Sequence, residues 1–75
     1  MLLTAEGARR ALLSLGFTYD RDSTHDHVYR YPGSGVACAF PKKGIYSRNV
    51  LSKLLHQMRQ AGVNMTQEEF LRAAR

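Results

Sequence analysis

The hydrophobic pattern of this chain changes period twice, and this change constrains the fold more than any other feature of the sequence. Apolar residues recur at helical spacing up to Gly16, and helical spacing returns after Ser47. The stretch between, from Phe17 to Phe40, is rich in aromatic and β-branched residues. Helices and strands that each carry an apolar side must bury it against one another. The pattern therefore predicts an α+β fold in which helices pack on a small sheet.

The first helix is predicted from both its ends and its apolar face. Thr4 is a suitable N-cap, and Glu6 places a carboxylate in the first turn, where the helix dipole favours an anion. Gly16 is suited to stop the helix. The apolar residues on its predicted buried face are Ala8, Ala11, Leu12 and Leu15.

Three short strands are predicted after this helix. The first begins with the aromatic and β-branched residues 17–19, the second covers His25 to Tyr31, and the third covers residues 36–40. Turn-forming residues separate them at positions 22–24 and 32–35. Consecutive strands joined by short turns predict a three-stranded antiparallel sheet.

Two further helices are predicted after the sheet. Ser47 caps the second helix and Gly62 ends it, whereas Thr66 and Glu69 have the spacing of a capping box at the start of a short helix within residues 66–75. The apolar residues of the second helix are Val50, Leu51, Leu54, Leu55 and Met58. The predicted order is α-β-β-β-α-α, with residues 1–75 forming a single domain.

A three-stranded sheet has two faces, and the amphipathic helices predicted here can cover only one of them. We therefore expect the other face, or its rim, to be free for binding. Functional residues are expected on this free face or at its rim.

The charge distribution points to a polyanionic partner. The formal net charge is +5, and no carboxylate occurs between Asp26 and Glu68. The basic residues in that interval are Arg30, Lys42, Lys43, Arg48, Lys53 and Arg59. Nucleic acid is the commonest partner of such a surface, although a basic surface can also serve solubility alone.

Several classes of protein are disfavoured by the composition. Cys38 is the single cysteine, so an internal disulfide is impossible, and no Cys/His spacing typical of structural zinc is present. No apolar run approaches the roughly 20 residues of a membrane span, and the N-terminus lacks the layout of a signal peptide. We therefore expect a cytoplasmic protein with no cofactor, no metal and no membrane partner.

Two histidines are the best candidates for chemistry. His25 and His27 stand two apart at the start of the second predicted strand, so both are expected on the same face, with Tyr29. An imidazole can take up or release a proton near neutral pH, and could deprotonate an RNA 2′-hydroxyl for attack on the adjacent phosphorus. A structural role for the pair is one alternative interpretation. Ligation of a metal is another, for which only His56, Cys38 and the early aspartates offer further ligands, at no recognisable spacing.

Parts of the chain resemble the HicA-type toxins. The matching segments are Leu15-Gly16-Phe17, Arg21 before Ser23-Thr24-His25, Tyr29-Arg30-Tyr31-Pro32, Phe40-Pro41-Lys42-Lys43-Gly44-Ile45 and Gln60-Ala61-Gly62-Val63. The resemblance implies a small basic mRNA interferase with a double-stranded-RNA-binding-type α-β-β-β-α fold and a partner antitoxin of the HicB type. It also implies a catalytic histidine in a Gly-Ser-His motif.

The motif histidine can be aligned in two ways. Ser23-Thr24-His25 stands where Gly-Ser-His is expected, but an ungapped alignment from Tyr29 places Asp26 at the histidine position and His27 directly after it. Both His25 and His27 are therefore candidate catalytic residues. A diverged relative that keeps the fold without the activity is also compatible with the missing glycine.

The sequence thus favours a toxin-type endoribonuclease that cuts mRNA by metal-independent histidine chemistry. We expect His25 as the general base with His27 as its substitute, and the RNA backbone is expected to contact Lys42, Lys43, Arg48, Arg21 and Arg30. This hypothesis requires an imidazole on the uncovered side of the sheet, within reach of Lys42 and Lys43. The alternatives are a non-catalytic basic nucleic-acid-binding module and a phage or mobile-element adaptor for an acidic protein.

Overall fold

The computed structural model describes residues 1–75 and contains three helices and three strands. In chain order they are α1 (Ala5–Ser14), β1 (Thr18–Asp22), β2 (Asp26–Arg30), β3 (Ala37–Pro41), α2 (Arg48–Gln60) and α3 (Gln67–Ala73). The strands form one antiparallel sheet in the order β1-β2-β3. The predicted α+β class and element order are confirmed.

Each helix begins where its predicted capping residue stands. The side chains of Thr4, Ser47 and Thr66 accept backbone N–H groups from the first turns of α1, α2 and α3. At α3 the capping box is complete, because Glu69 also accepts the backbone N–H of Thr66 at 2.8 Å. These bonds satisfy donors that a helix N-terminus otherwise leaves unpaired.

The β1–β2 hairpin differs from the sequence-based prediction in its turn. β1 extends to Asp22, and β2 begins only at Asp26, so His25 lies in the turn and not in the strand. The turn is closed by the backbone N–H of Ser23, which donates to the carbonyl of Asp26 at 2.9 Å, and by the Ser23 hydroxyl, which accepts the Asp26 N–H at 3.1 Å. A serine side chain that competes with the ladder in this way favours a turn over further strand pairing.

All three helices cover the same face of the sheet. Tyr29, Cys38 and Phe40 point from this face into a single core that also contains Leu12 of α1, Leu54 of α2 and residues of α3. Val28 lies on the opposite face, and it is buried without belonging to that core. The sheet therefore has one covered and one uncovered face, as expected.

The two edge strands of the sheet, β3 and β1, differ in how far their outward backbone groups are covered. At the β3 edge the backbone N–H of Ala39 donates to Oε1 of Gln57 on α2 at 2.9 Å, and Pro41 has no N–H to leave unpaired. The β1 edge carries no such cover, and all five of its residues are exposed. A bulge between Tyr19 and Arg21 interrupts its pairing with β2.

Helix α3 closes the layer of helices by packing on α1. Phe70 is fully buried, and the guanidinium of Arg10 donates two hydrogen bonds to the carbonyl of Ala74, at 3.1 and 3.3 Å. None of the three helices combines the length and the apolar composition that crossing a membrane requires.

Candidate functional site

His27 lies on the helix-covered face of the sheet, near its rim. The pairing of His27 with Phe40 and of Tyr29 with Cys38 gives His27 the same orientation as the core residues of the sheet. Its ring packs edge-on against Phe40, with 5.5 Å between the centroids, and 31% of its side chain remains exposed. The expectation that the histidines lie on the uncovered face is therefore wrong for His27. It shares a face with Tyr29, as predicted, but the helices pack on that face.

Asp22 and His27 form a hydrogen-bonded pair across the hairpin. They are direct partners in the ladder, and His27 Nδ1 lies 2.7 Å from Asp22 Oδ1. An ionised carboxylate only accepts hydrogen bonds, so this contact requires the proton on Nδ1 and, in the neutral form of the ring, leaves Nε2 as the acceptor. The hydrogen bond from His27 is the main reason that the pKa of Asp22 lies below its ordinary value, with a further contribution from Tyr19.

A pocket between the start of α1 and this end of the sheet contains the pair. Its lining residues are Ala5, Glu6, Arg9, Tyr19, Asp22, His27 and Tyr29. Arg9 pairs with Glu6 at 3.3 Å, and its guanidinium also lies beside the hydroxyl of Tyr29. Burial raises the pKa of Tyr29, and the nearby Arg9 charge opposes that increase. An imidazole, its carboxylate partner and a guanidinium thus meet in one open pocket.

His25 and the two lysines line a second groove next to this pocket. The backbone N–H of Lys42 donates to the carbonyl of His25 at 2.9 Å, which fixes the hairpin turn against the chain leaving β3. The groove is lined by Thr24, His25, Asp26, Pro41, Lys42, Lys43 and Tyr46. The expected proximity of a histidine to Lys42 and Lys43 is therefore found for His25.

The charge of Lys42 in the groove also acts on Asp22 in the pocket. Lys42 lines the second groove, and its charge helps to lower the pKa of Asp22 in the first pocket. A phosphate held by Lys42 is thus within electrostatic reach of the Asp22–His27 pair.

The lysines stand on a turn whose backbone is fixed. The N–H of Gly44 donates to the carbonyl of Pro41 at 2.9 Å, closing the turn around Lys42 and Lys43. Gly44 has φ +108°, and a Cβ at this position would lie 3.0 Å from the carbonyl oxygen of Leu3, so a glycine is required. The turn therefore presents both lysines from a rigid base.

Arg21 and Arg30 lie on the uncovered face, away from His27. Both guanidinium groups pair with Asp20, at 3.2 Å for Arg30, and Arg30 also donates to the carbonyl of Gly35 at 2.6 Å. The hydrogen bond from Arg30 is the main reason that the pKa of Asp20 is lowered. The hairpin does not bring these two arginines to the histidine pocket.

Arg48 is engaged by α3. It donates to Oε1 of Gln67 at 2.8 Å and lies 3.6 Å from a carboxylate oxygen of Glu68. An RNA phosphate at Arg48 would therefore compete with the carboxylate of Glu68, which is distant in sequence but adjacent in space. His56 lies exposed on α2, where its Nε2 is 3.4 Å from the side-chain amide of Gln60. No group of three or more His, Cys, Asp or Glu side chains could hold a metal ion.

Sequence reasoning placed Tyr29 beside His27 but missed three other residues of the pocket: Arg9, Tyr19 and Asp22. Asp22 could have been found, because a hairpin that closes between Ser23 and Asp26 makes Asp22 and His27 cross-strand partners. Arg9 has no such signal, since its position over the sheet depends on how α1 packs.

Comparison with known proteins does not assign the chain to a family. No protein-family profile matches it, and no curated protein or solved structure is significantly similar to it. The resemblance to HicA-type toxins stays a prediction that depends on the sequence segments quoted above.

Proposed function

We propose that this protein is a toxin-type endoribonuclease that cleaves mRNA by metal-independent histidine chemistry. The observation that carries the proposal is the Asp22–His27 hydrogen bond of 2.7 Å in a pocket that also holds Arg9. A base with an oriented tautomer beside cationic groups is the arrangement that phosphodiester cleavage requires. His27 is the general base in this proposal, and His25 belongs to the RNA-binding groove.

The proposed reaction is an internal transfer followed by strand departure. Nε2 of His27 takes the proton of an RNA 2′-hydroxyl, and the 2′-oxygen attacks the adjacent phosphorus. The bond from phosphorus to the 5′-oxygen breaks, and the departing oxygen takes a proton from water, which the open pocket admits. The products are a 2′,3′-cyclic phosphate and a 5′-hydroxyl, and Asp22 stabilises the imidazolium formed in the first step.

The cations of the site stabilise the charge that gathers on the phosphoryl oxygens. In the free protein Arg9 is paired with Glu6, with both side chains more than half exposed. A surface ion pair of this kind is weak, so a phosphate can take over the guanidinium with a bidentate contact. Lys42 supplies a second charge from the other side.

The same basic surface suits an acidic partner protein. We propose an antitoxin of the HicB type that covers the pocket and keeps the enzyme inactive until it is removed. Its acidic groups would replace the RNA phosphates at Lys42 and Lys43.

Cleavage of end-labelled RNA in the presence of EDTA tests the proposed function. We expect the wild-type protein to produce fragments ending in 2′,3′-cyclic phosphate, and His27→Ala to be slower by about a hundredfold or more, as for loss of a general base. His56→Ala is the matched control, because His56 is exposed on α2 away from the pocket. Loss of activity in His25→Ala but not in His27→Ala would transfer the role of base to His25.

Intact RNA in a retarded complex would favour the non-catalytic binding module. Its binding would weaken steeply with salt, with a slope of about −0.7 per phosphate contact on single strands. The absence of both cleavage and retardation would favour the adaptor for an acidic protein.

A further inference from the structure

The groove beside the catalytic pocket contains an exposed aromatic ring together with the two lysines. Tyr46 is 53% exposed and shares this groove with His25, Lys42 and Lys43. We propose that Tyr46 is a base-stacking platform for the nucleotide that flanks the cleaved bond, so that the substrate is single-stranded RNA. This inference deepens the proposed function and rests on it for the identity of the polymer.

The exposure of Tyr46 is not explained by folding. The neighbouring Ile45 is fully buried, and the three phenylalanines of the chain are each at most 1% exposed. Tyr46 takes no part in the core and has no aromatic partner within the protein. A ring that remains in water beside cations is suited to stack on a base.

Both half-exposed tyrosines lie in the two adjoining depressions. Tyr19, at 56% exposure, lines the catalytic pocket, and Tyr46 lines the groove. Lys42 lines the groove together with Tyr46, so a strand that stacks a base on Tyr46 can place the neighbouring phosphate at Lys42.

This arrangement selects against duplex RNA. The bases of a duplex are stacked on one another and paired, so their faces are not free to stack on protein side chains. Alternating rings and cations are instead typical of surfaces that bind single strands with little sequence preference. The turn closed by Gly44 favours binding further, because its backbone is already ordered and need not be ordered when the phosphate binds.

Binding of 2′-O-methyl RNA tests the subsite independently of catalysis, because the methyl group removes the attacking hydroxyl. Fluorescence anisotropy would compare a labelled single strand with the same sequence in a duplex. We expect Tyr46→Ala and Tyr46→Leu to weaken single-strand binding between about fivefold and about a hundredfold, the range for loss of one stacked base. Tyr46→Phe should bind within about twofold of wild type, since the ring is kept.

Leu13→Ala is the matched control, because Leu13 is also a large exposed apolar residue but lines neither depression. Tyr46→Leu keeps the apolar bulk, so its effect reports stacking even if the alanine variant folds poorly. Unchanged affinity in both variants, tighter binding of the duplex, or no binding of the single strand would overturn the inference. If binding depends on the Tyr46 ring but the protein cuts no RNA, the proposed nuclease activity is refuted and the stacking subsite is still supported.

Discussion

His25 and His27 are two residues apart, but their surroundings suit them to different roles. His27 is held from two sides, by the carboxylate of Asp22 and by the ring of Phe40, so its orientation is fixed. His25 lies in an exposed turn, and the contact that fixes it is made by its backbone carbonyl. A general base needs a defined position relative to the proton it removes, and only His27 has one.

Asp22 is a positioning residue in the proposed reaction, because it acts through His27 and not on the RNA. We expect Asp22→Asn to lower kcat by at least about tenfold while KM changes less than about twofold, since the imidazole loses its tautomer and charge partner but the phosphate contacts remain. Steady-state cleavage kinetics measure both parameters.

Asp22→Glu provides the conservative variant, since it keeps a carboxylate at the same place in the hairpin. Partial recovery of kcat in this variant, with the same KM, is expected. A rise in KM with unchanged kcat in Asp22→Asn would contradict the positioning role and indicate that Asp22 affects binding alone.

At the scale of elements, helix α2 reaches the β3 edge of the sheet with a side-chain hydrogen bond from one residue. Gln57 of α2 accepts the N–H of Ala39, which otherwise points away from the sheet without a partner. The β1 edge has no cover, but its bulge and its charged residues Asp20, Arg21 and Asp22 disfavour pairing with another strand.

Gln57→Leu should therefore destabilise the protein by about 1 kcal/mol, because a partly buried backbone donor loses its acceptor. Urea unfolding followed by circular dichroism measures the change. Gln60→Leu is the control, since Gln60 lies in the last turn of the same helix and is exposed. Equal stability of the two variants would show that water replaces Gln57 at this edge.

Helix ends were predictable from sequence at this scale, whereas the hairpin turn was not. Thr4, Ser47 and Thr66 act within a few residues of themselves, so local chemistry decides where each helix begins. At Ser23 the chain can either continue strand pairing or form a side-chain hydrogen bond that makes a turn. The sequence-based prediction started β2 at His25, whereas the strand begins at Asp26.

For the whole molecule, folding brings acidic residues from other parts of the chain next to the basic ones. The long interval without carboxylates suggested one basic surface, but Glu68 folds back onto Arg48 and Asp20 engages both Arg21 and Arg30. The part of that surface next to the candidate pocket is the turn with Lys42 and Lys43.

The acid stability of the molecule follows from three carboxylates whose pKa values are lowered by folding. They are Asp20 beside Arg30, Asp22 beside His27, and Glu69, which accepts the backbone N–H of Thr66. A lowered pKa contributes stability above the unfolded value, near about 4, and that contribution is lost as the pH falls through the folded value. We expect the urea midpoint to be level above about pH 5 and to fall below about pH 4.

The triple variant Asp20→Asn, Asp22→Asn, Glu69→Gln tests whether these three carboxylates cause the loss of stability in acid. Its urea midpoint should depend less on pH between about 2 and 5 than that of the wild type, because the proton-binding groups are removed. Equal slopes in the two proteins would assign the acid transition to other groups.

The sequence by itself determined the order of helices and strands and the apolar faces of the helices, because these depend on period and on capping over short distances. It also placed a histidine beside Lys42 and Lys43. Only the tertiary structure decided that His27 takes the covered face, that Arg9 joins it, and that Arg21 and Arg30 do not. The physical reason is that strand register and helix packing set these distances, and a shift of one residue would send every side chain of β2 to the other face.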